Sequence, residues 1–340
     1  VTGTLTASAQ STINVAGSII SSDEMEFGSA VILKDNTSVS TTNSQITFGD
    51  TVNSESSETN DLTIGIGSSE VEFDGIVGGS VGLGDIAITG ALDLDAAITS
   101  ANLLSVSTTS NLGANVTTSS TQTYTGATTL SAADRTLAGS TINFGSTLAG
   151  GTNALTVTGN LDLDGAATGL SSLSVSGTSN LGGNVTTSGV QTYSDAVTLS
   201  GAARTLTTTN SNLTFSSTVN GAQDLTISVG TGDTVFTGAV GGSDSLGDIT
   251  ITTAELTAAA IALQGTLDIT NSGASSITGV ISNGTSTASL TKSGTGTLTL
   301  TGANTYTGST TINDGILSIS SDSGLGAVPA SATAAQLILN

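Results

Sequence analysis

The residues best equipped for chemistry in this chain are two pairs of carboxylates, Asp93/Asp95 and Asp162/Asp164, each set in the tetrapeptide LDLD. Carboxylates two positions apart on a strand share one face. Such a pair could act as general acid and base on a glycosidic bond, or could offer oxygen ligands to calcium. With Leu92/Leu94 and Leu161/Leu163 turned inward, both acids of each pair face solvent, and two equivalent exposed pairs read as surface decoration. No catalytic residue is therefore assigned. Calcium is the better functional reading of Asp93, Asp95, Asp162 and Asp164, and no other cofactor is expected. The pattern is loose even for calcium: no EF-hand loop occurs, and GGSDSLGD at residues 241–248 follows the calcium-binding β-roll nonapeptide only distantly.

The missing residue types exclude more. Histidine and cysteine are absent, which removes Ser-His-Asp and Cys-His activation, the commonest transition-metal ligand and any disulfide. A non-catalytic protein is expected. The net charge is −22, with only Lys34, Arg135, Arg204 and Lys292 as cations, so nucleic acid and anionic lipid are repelled. Fourteen of the 26 acids precede Ala96, in runs such as Asp23/Glu24/Glu26 and Glu70/Glu72/Asp74. Cations should therefore act most on the first third, and by diffuse screening more than by site binding. No run of 18 apolar residues occurs, so no membrane insertion is expected in this fragment. Tyr124, Tyr193 and Tyr306 share one submotif, a placement that favours packing over a sugar-stacking platform. Arg135 and Arg204 are repeat equivalents expected to pair with a nearby acid or carbonyl.

The elements that position these residues are repeats. Residues 92–137 align without a gap on 161–206, with 31 of 46 positions identical at an offset of 69. A second block, residues 61–89, recurs at 224–252 and shares DLTI and VGGS..LGDI.IT. Between the two lies a shortened copy. The full copy runs from Leu62 to its LDLD at Leu92, the short one only from Leu155 to Leu161. The short copy thus lacks about 24 residues, and a solenoid tolerates the loss of a whole coil because each coil touches only its neighbours. The missing length suggests about one coil, and 69 divides into three of 23. Leu92/Leu94 and Leu161/Leu163 are then expected three coils apart, inward and in vertical register.

The apolar residues alternate in short sets, among them Leu213/Phe215, Leu225/Ile227/Val229, Ile249/Ile251, Leu267/Ile269 and Leu298/Leu300. That is the pattern of short strands with one buried face, and Gly, Asn, Ser and Asp between them supply corners. The one proline, Pro329, leaves almost every strand free to donate its backbone N–H. Residues 254–264, AELTAAAIALQ, are good helix formers, yet they follow LGDITIT as residues 90–104 follow LGDIAIT, which favours strand. The fold expected is all-β: a parallel β-helix of about 23 residues per coil, roughly 15 coils, running as a single continuous solenoid over residues 1–340.

One segment carries a family signature. Residues 296–320, GTLTLTGANTYTGSTTINDGILSIS, closely resemble the autotransporter-associated β-strand repeat of bacterial autotransporter passengers and giant haemagglutinin-like adhesins. Degraded forms of the Tyr-Thr-Gly submotif stand at residues 124–130 and 193–199. The resemblance implies a right-handed β-helix exported to the extracellular face of a bacterium, with the repeat assisting transport and folding. The implied role is an adhesin-type stalk whose partners are a host or neighbouring-cell surface. The alternative is a self-associating subunit of an extracellular filament, sheath or surface layer. Val1 opens inside the strand-like VTGTLTAS and the Leu337/Leu339 alternation is unfinished. Both ends therefore read as cuts in a longer polypeptide, without the signal peptide or membrane barrel that such a protein would carry.

Overall fold

The computed structural model describes residues 4–8, 12–328 and 336–340, so Val1 and Pro329 lie outside the described residues. The chain forms about 16 coils of a parallel β-solenoid, which divide into two compact units, Val1–Leu170 and Ser171–Asn340. Residues 254–264 are strand: Leu256–Ala258 and Ile261–Leu263 flank a corner, and the only helical element among the described residues is the short 3-10 turn Asp322–Leu325.

In the first unit each coil has three faces, each starting with an inward residue. One column runs Val52, Val77, Ile98, Val116, Leu137, Val157. The next runs Leu62, Ile86, Leu104, Gln122, Ile142, Leu161. The third runs Ile46, Val71, Leu92, Ser110, Thr128, Leu148. Side chains between the inward positions point out, and the strands' backbone groups bond to the coils above and below, which fixes the parallel register.

The coils vary in length, and most are shorter than the 23 residues expected. Leu267 to Leu290 and Leu62 to Ile86 are coils of full length, whereas Leu92 to Ser110 is a shorter one. The stretch missing from the short copy equals one full coil such as Leu62 to Ile86. The longer repeat is different. The column through Leu92 reaches Leu148 after three coils, and from there the chain passes round two further faces before it arrives at Leu161. The two LDLD strands are both inward-facing, but they stand in different columns and are not in vertical register. The reason is that the three faces use one design, a short in-out-in strand and a corner. A copy of three and two-thirds coils therefore seats as well as a whole number.

The second unit follows the same plan, with Leu206, Ile227, Ile251, Ile269 and Lys292 in one column and Val197, Val219, Val240, Ile261 and Ile281 in another. Aromatic rings stack along the columns of both units. Phe27, Phe48 and Phe73 lie 4.9 and 5.0 Å apart, Tyr124 and Phe144 5.4 Å, and Tyr193, Phe215 and Phe236 5.2 and 4.9 Å. Parallel strands in register force equivalent side chains onto one another, so the stacking follows from the register.

The corners explain the recurring LGD. Asp61 Oδ1 accepts the N–H of Asp85 in the next coil at 2.7 Å, Asp224 that of Asp248 at 2.8 Å, and Asp248 that of Thr266 at 2.6 Å. The residue before each donor is glycine, and a Cβ there would stand 2.2, 2.0 and 2.0 Å from the accepting oxygen at Gly84, Gly247 and Gly265. The aspartate needs the space that a side chain would fill.

Candidate functional site

Among the described residues, one group of three carboxylates is close enough to share a cation: Glu72, Asp74 and Asp95, with ligand oxygens all within 4.8 Å of one another. The strand Leu62–Phe73 places Glu72 between the buried Val71 and Phe73, so its carboxylate must point outward. Register sets Glu72 between Thr47 below and Asp93 above. Asp74 and Asp95 follow at the corners of successive coils, their backbone N–H groups bonded to Phe48 and Phe73 carbonyls at 3.0 and 3.1 Å. Like charges directly opposite each other in a sheet repel.

Polar neighbours moderate that repulsion only in part. Gln45 Nε2 and Thr47 Oγ1 donate to Glu72 Oε2 at 3.0 and 3.3 Å, and Asn111 Nδ2 donates to Asp93 Oδ1 at 2.8 Å. Burial raises the Glu72 pKa above the ordinary 4.5, helped by the charges of Asp74, Asp93 and Asp95 and opposed by the Thr47 hydrogen bond. The arrangement offers hard oxygen ligands from one side.

The four carboxylates singled out in the sequence separate. Asp95 joins the cluster, and Asp93 stands beside it, tied to Asn111. Asp162 pairs in register with Asn143 on another face, and the Asp164 N–H bonds Phe144 O at 3.0 Å. Glu72 and Asp74 were visible in sequence only as an acidic run; their approach to Asp95 needs the offset between Leu62–Phe73 and the next coil.

The other chemically capable groups serve the framework. Tyr124, Tyr193 and Tyr306 are fully buried. Tyr124 Oη donates to Gln122 Oε1 at 3.0 Å and Tyr193 Oη to Gln191 Oε1 at 3.3 Å, while Tyr306 shares a 2.5 Å bond with Thr310. Burial raises the pKa of all three. Arg135 bonds the carbonyls of Leu112 and Asp134, each at 3.0 Å, and Ser131 at 2.5 Å; Arg204 bonds that of Ser200 at 3.0 Å. Lys292 is buried, with Nζ 2.7, 2.7 and 3.2 Å from the carbonyls of Ser293, Gly294 and Asp314. Asn304 spans two coils, accepting from Ile281 N–H and donating to Gly324 O at 2.8 and 2.7 Å. A groove of about 480 Å³ lined by Thr59, Ser100, Asn102, Thr117 and Ser119 holds no ionisable side chain.

Residues 290–319, which contain Lys292, Asn304 and Tyr306, match the passenger-associated-transport-repeat family, PATR. That match and the β-solenoid fit an autotransporter passenger-like repeat protein. No curated protein and no solved structure matches the chain.

Proposed function

We propose that this chain is a non-catalytic, adhesin-type stalk on the outside of a bacterial cell, holding an adhesive surface or another domain away from it. The observation that supports this most is the use to which the coils put their reactive groups. The tyrosines, both arginines and Lys292 all bond within the framework, and the passenger repeat at residues 290–319 joins that fold to a class of exported protein. Acidic side chains outside the corners keep the surface soluble. The cluster at Glu72, Asp74 and Asp95 responds to cations as a local concentration of charge, and its partner in that role is salt or calcium from the medium. The contacts that matter for adhesion are with a host or neighbouring cell.

Electron microscopy of the native protein on its cell tests the reading. Molecules tethered singly to the cell are expected. A periodic lattice or bundled filament built from this chain would replace the stalk by a self-assembling subunit, and a measurable glycan-cleaving activity of the purified chain would remove the non-catalytic reading.

A further inference from the structure

Within the unit Ser171–Asn340 one face carries broader strands than its neighbours along most of its rungs. Apart from the last rung its strands are four to six residues long, so each rung presents two outward side chains around an inward one. The rungs read Thr205-x-Thr207, Thr226-x-Ser228, Thr250-x-Thr252, Asp268-x-Thr270, Thr291-x-Ser293 and Thr311-x-Asn313. Strand pairing keeps them in register through all six, with no bulge. The outward side chains are exposed or half-exposed throughout.

Three properties of this face point to one kind of ligand. It is nearly uncharged in a chain of net charge −22: Asp268 is the single outward ionisable group of the twelve, and the Lys292 ammonium between Thr291 and Ser293 is turned inward. Among the described residues none of its eight threonine hydroxyls hydrogen-bonds the protein, and at its last rungs the Ser293 hydroxyl accepts from Asn313 Nδ2 at 3.2 Å. The buried Thr253, by contrast, turns its Oγ1 onto Gly232 O at 2.9 Å. Finally, the array is stiff. Threonine is restricted at χ1, and the backbone repeats the hydroxyls about 4.8 Å apart across rungs and roughly 6.6 Å apart along each strand.

A protein or glycan partner would call for anchors that this face lacks. Aromatic and arginine side chains carry most such interfaces, and all nine aromatic residues and both arginines are buried. What the face does present is a rigid two-dimensional lattice of donor-acceptor hydroxyls and methyl groups, already ordered before contact. Preorganised groups order the water above them at little entropic cost. We propose that this face binds ice: its threonine lattice holds water in two ranks and docks onto the ordered water lattice of a crystal. This goes beyond the stalk reading and is independent of it, since a spacer without the lattice would still be a spacer.

The test is thermal hysteresis and adsorption to a growing ice hemisphere, using the full 340-residue chain. The wild type is expected to shape ice crystals, hold their growth below the melting point and enter the ice. The pair Thr250→Tyr and Thr252→Tyr, in the middle of the face, should lose both activities while circular dichroism and Tm stay unchanged. Thr129→Tyr, exposed on the other unit, should retain them. Asp268→Thr completes the lattice and should increase hysteresis, which keeps the proposal testable if the tyrosine pair disturbs folding. A folded wild-type chain with no hysteresis and no ice adsorption overturns the proposal. So does full activity in the folded double variant, or binding of crystalline chitin or cellulose in place of ice.

Discussion

Glu72 shows how a side chain's neighbours, more than its type, set its cost. Its folded pKa is raised by burial first and by Asp74, Asp93 and Asp95 after that. An acid with a raised folded pKa is held in its protonated form more tightly by the folded chain than by the unfolded one. Stability therefore falls as pH climbs from the ordinary value of 4.5 through the raised one. Glu72→Gln should raise Tm at neutral pH, and its advantage over the wild type should shrink below pH 4.5. Melts at the two extremes check this; an equal gain at both would show that charge is not the cause. In the column interior the argument is packing. Leu298 is fully buried and lies in register between Ser275 and Leu317, so Leu298→Ala should cost about 2–5 kcal/mol in denaturant unfolding.

At the scale of the element, the corner is the unit that joins coils. Gly247 gives way to the Asp224 carboxylate, which would lie 2.0 Å from an added Cβ, and that carboxylate accepts the Asp248 N–H at 2.8 Å. Gly247→Ala is expected to destabilise by roughly 1–3 kcal/mol, and Asp224→Ala by on the order of 1 kcal/mol. Because all three close contacts at Gly247 belong to Asp224, the two changes should be non-additive: in the Asp224→Ala background the added methyl has room. A double-mutant cycle by urea unfolding measures the coupling, and strict additivity would show that the glycine is retained for another reason. The LGD tripeptide was legible as a repeat in the sequence. Its meaning was not, because the aspartate that requires the glycine belongs to the preceding coil.

For the whole molecule the dominant quantity is charge. Fourteen acids lie before Ala96, and three of them converge at Glu72, Asp74 and Asp95. Exposed carboxylates at such spacing repel through a medium that salt screens within about 10 Å at 0.1 M. Sodium and calcium at matched ionic strength are expected to raise Tm by similar amounts, and Glu72→Gln should reduce the response to both. A large gain with calcium alone at micromolar concentration would instead establish a bound ion. Melting curves recorded with each salt decide between the two.

The sequence alone determined the solenoid. Alternation such as Leu298/Leu300, corner residues and close self-copies are local properties, and any chain carrying them must stack its strands to bury one face. It also determined that the tyrosines were packing residues, since a residue fixed in every repeat is fixed by the repeat. Column membership was decided only by the tertiary structure. Whether Leu161 stands above Leu92 depends on the sum of every corner length between them, and coils of unequal length leave no local signal of that sum. The same sum brings Asp95 to Glu72 and Asp74, separates the two LDLD pairs onto different faces, and aligns six rungs, each with at least one outward threonine, that in sequence are only scattered tripeptides.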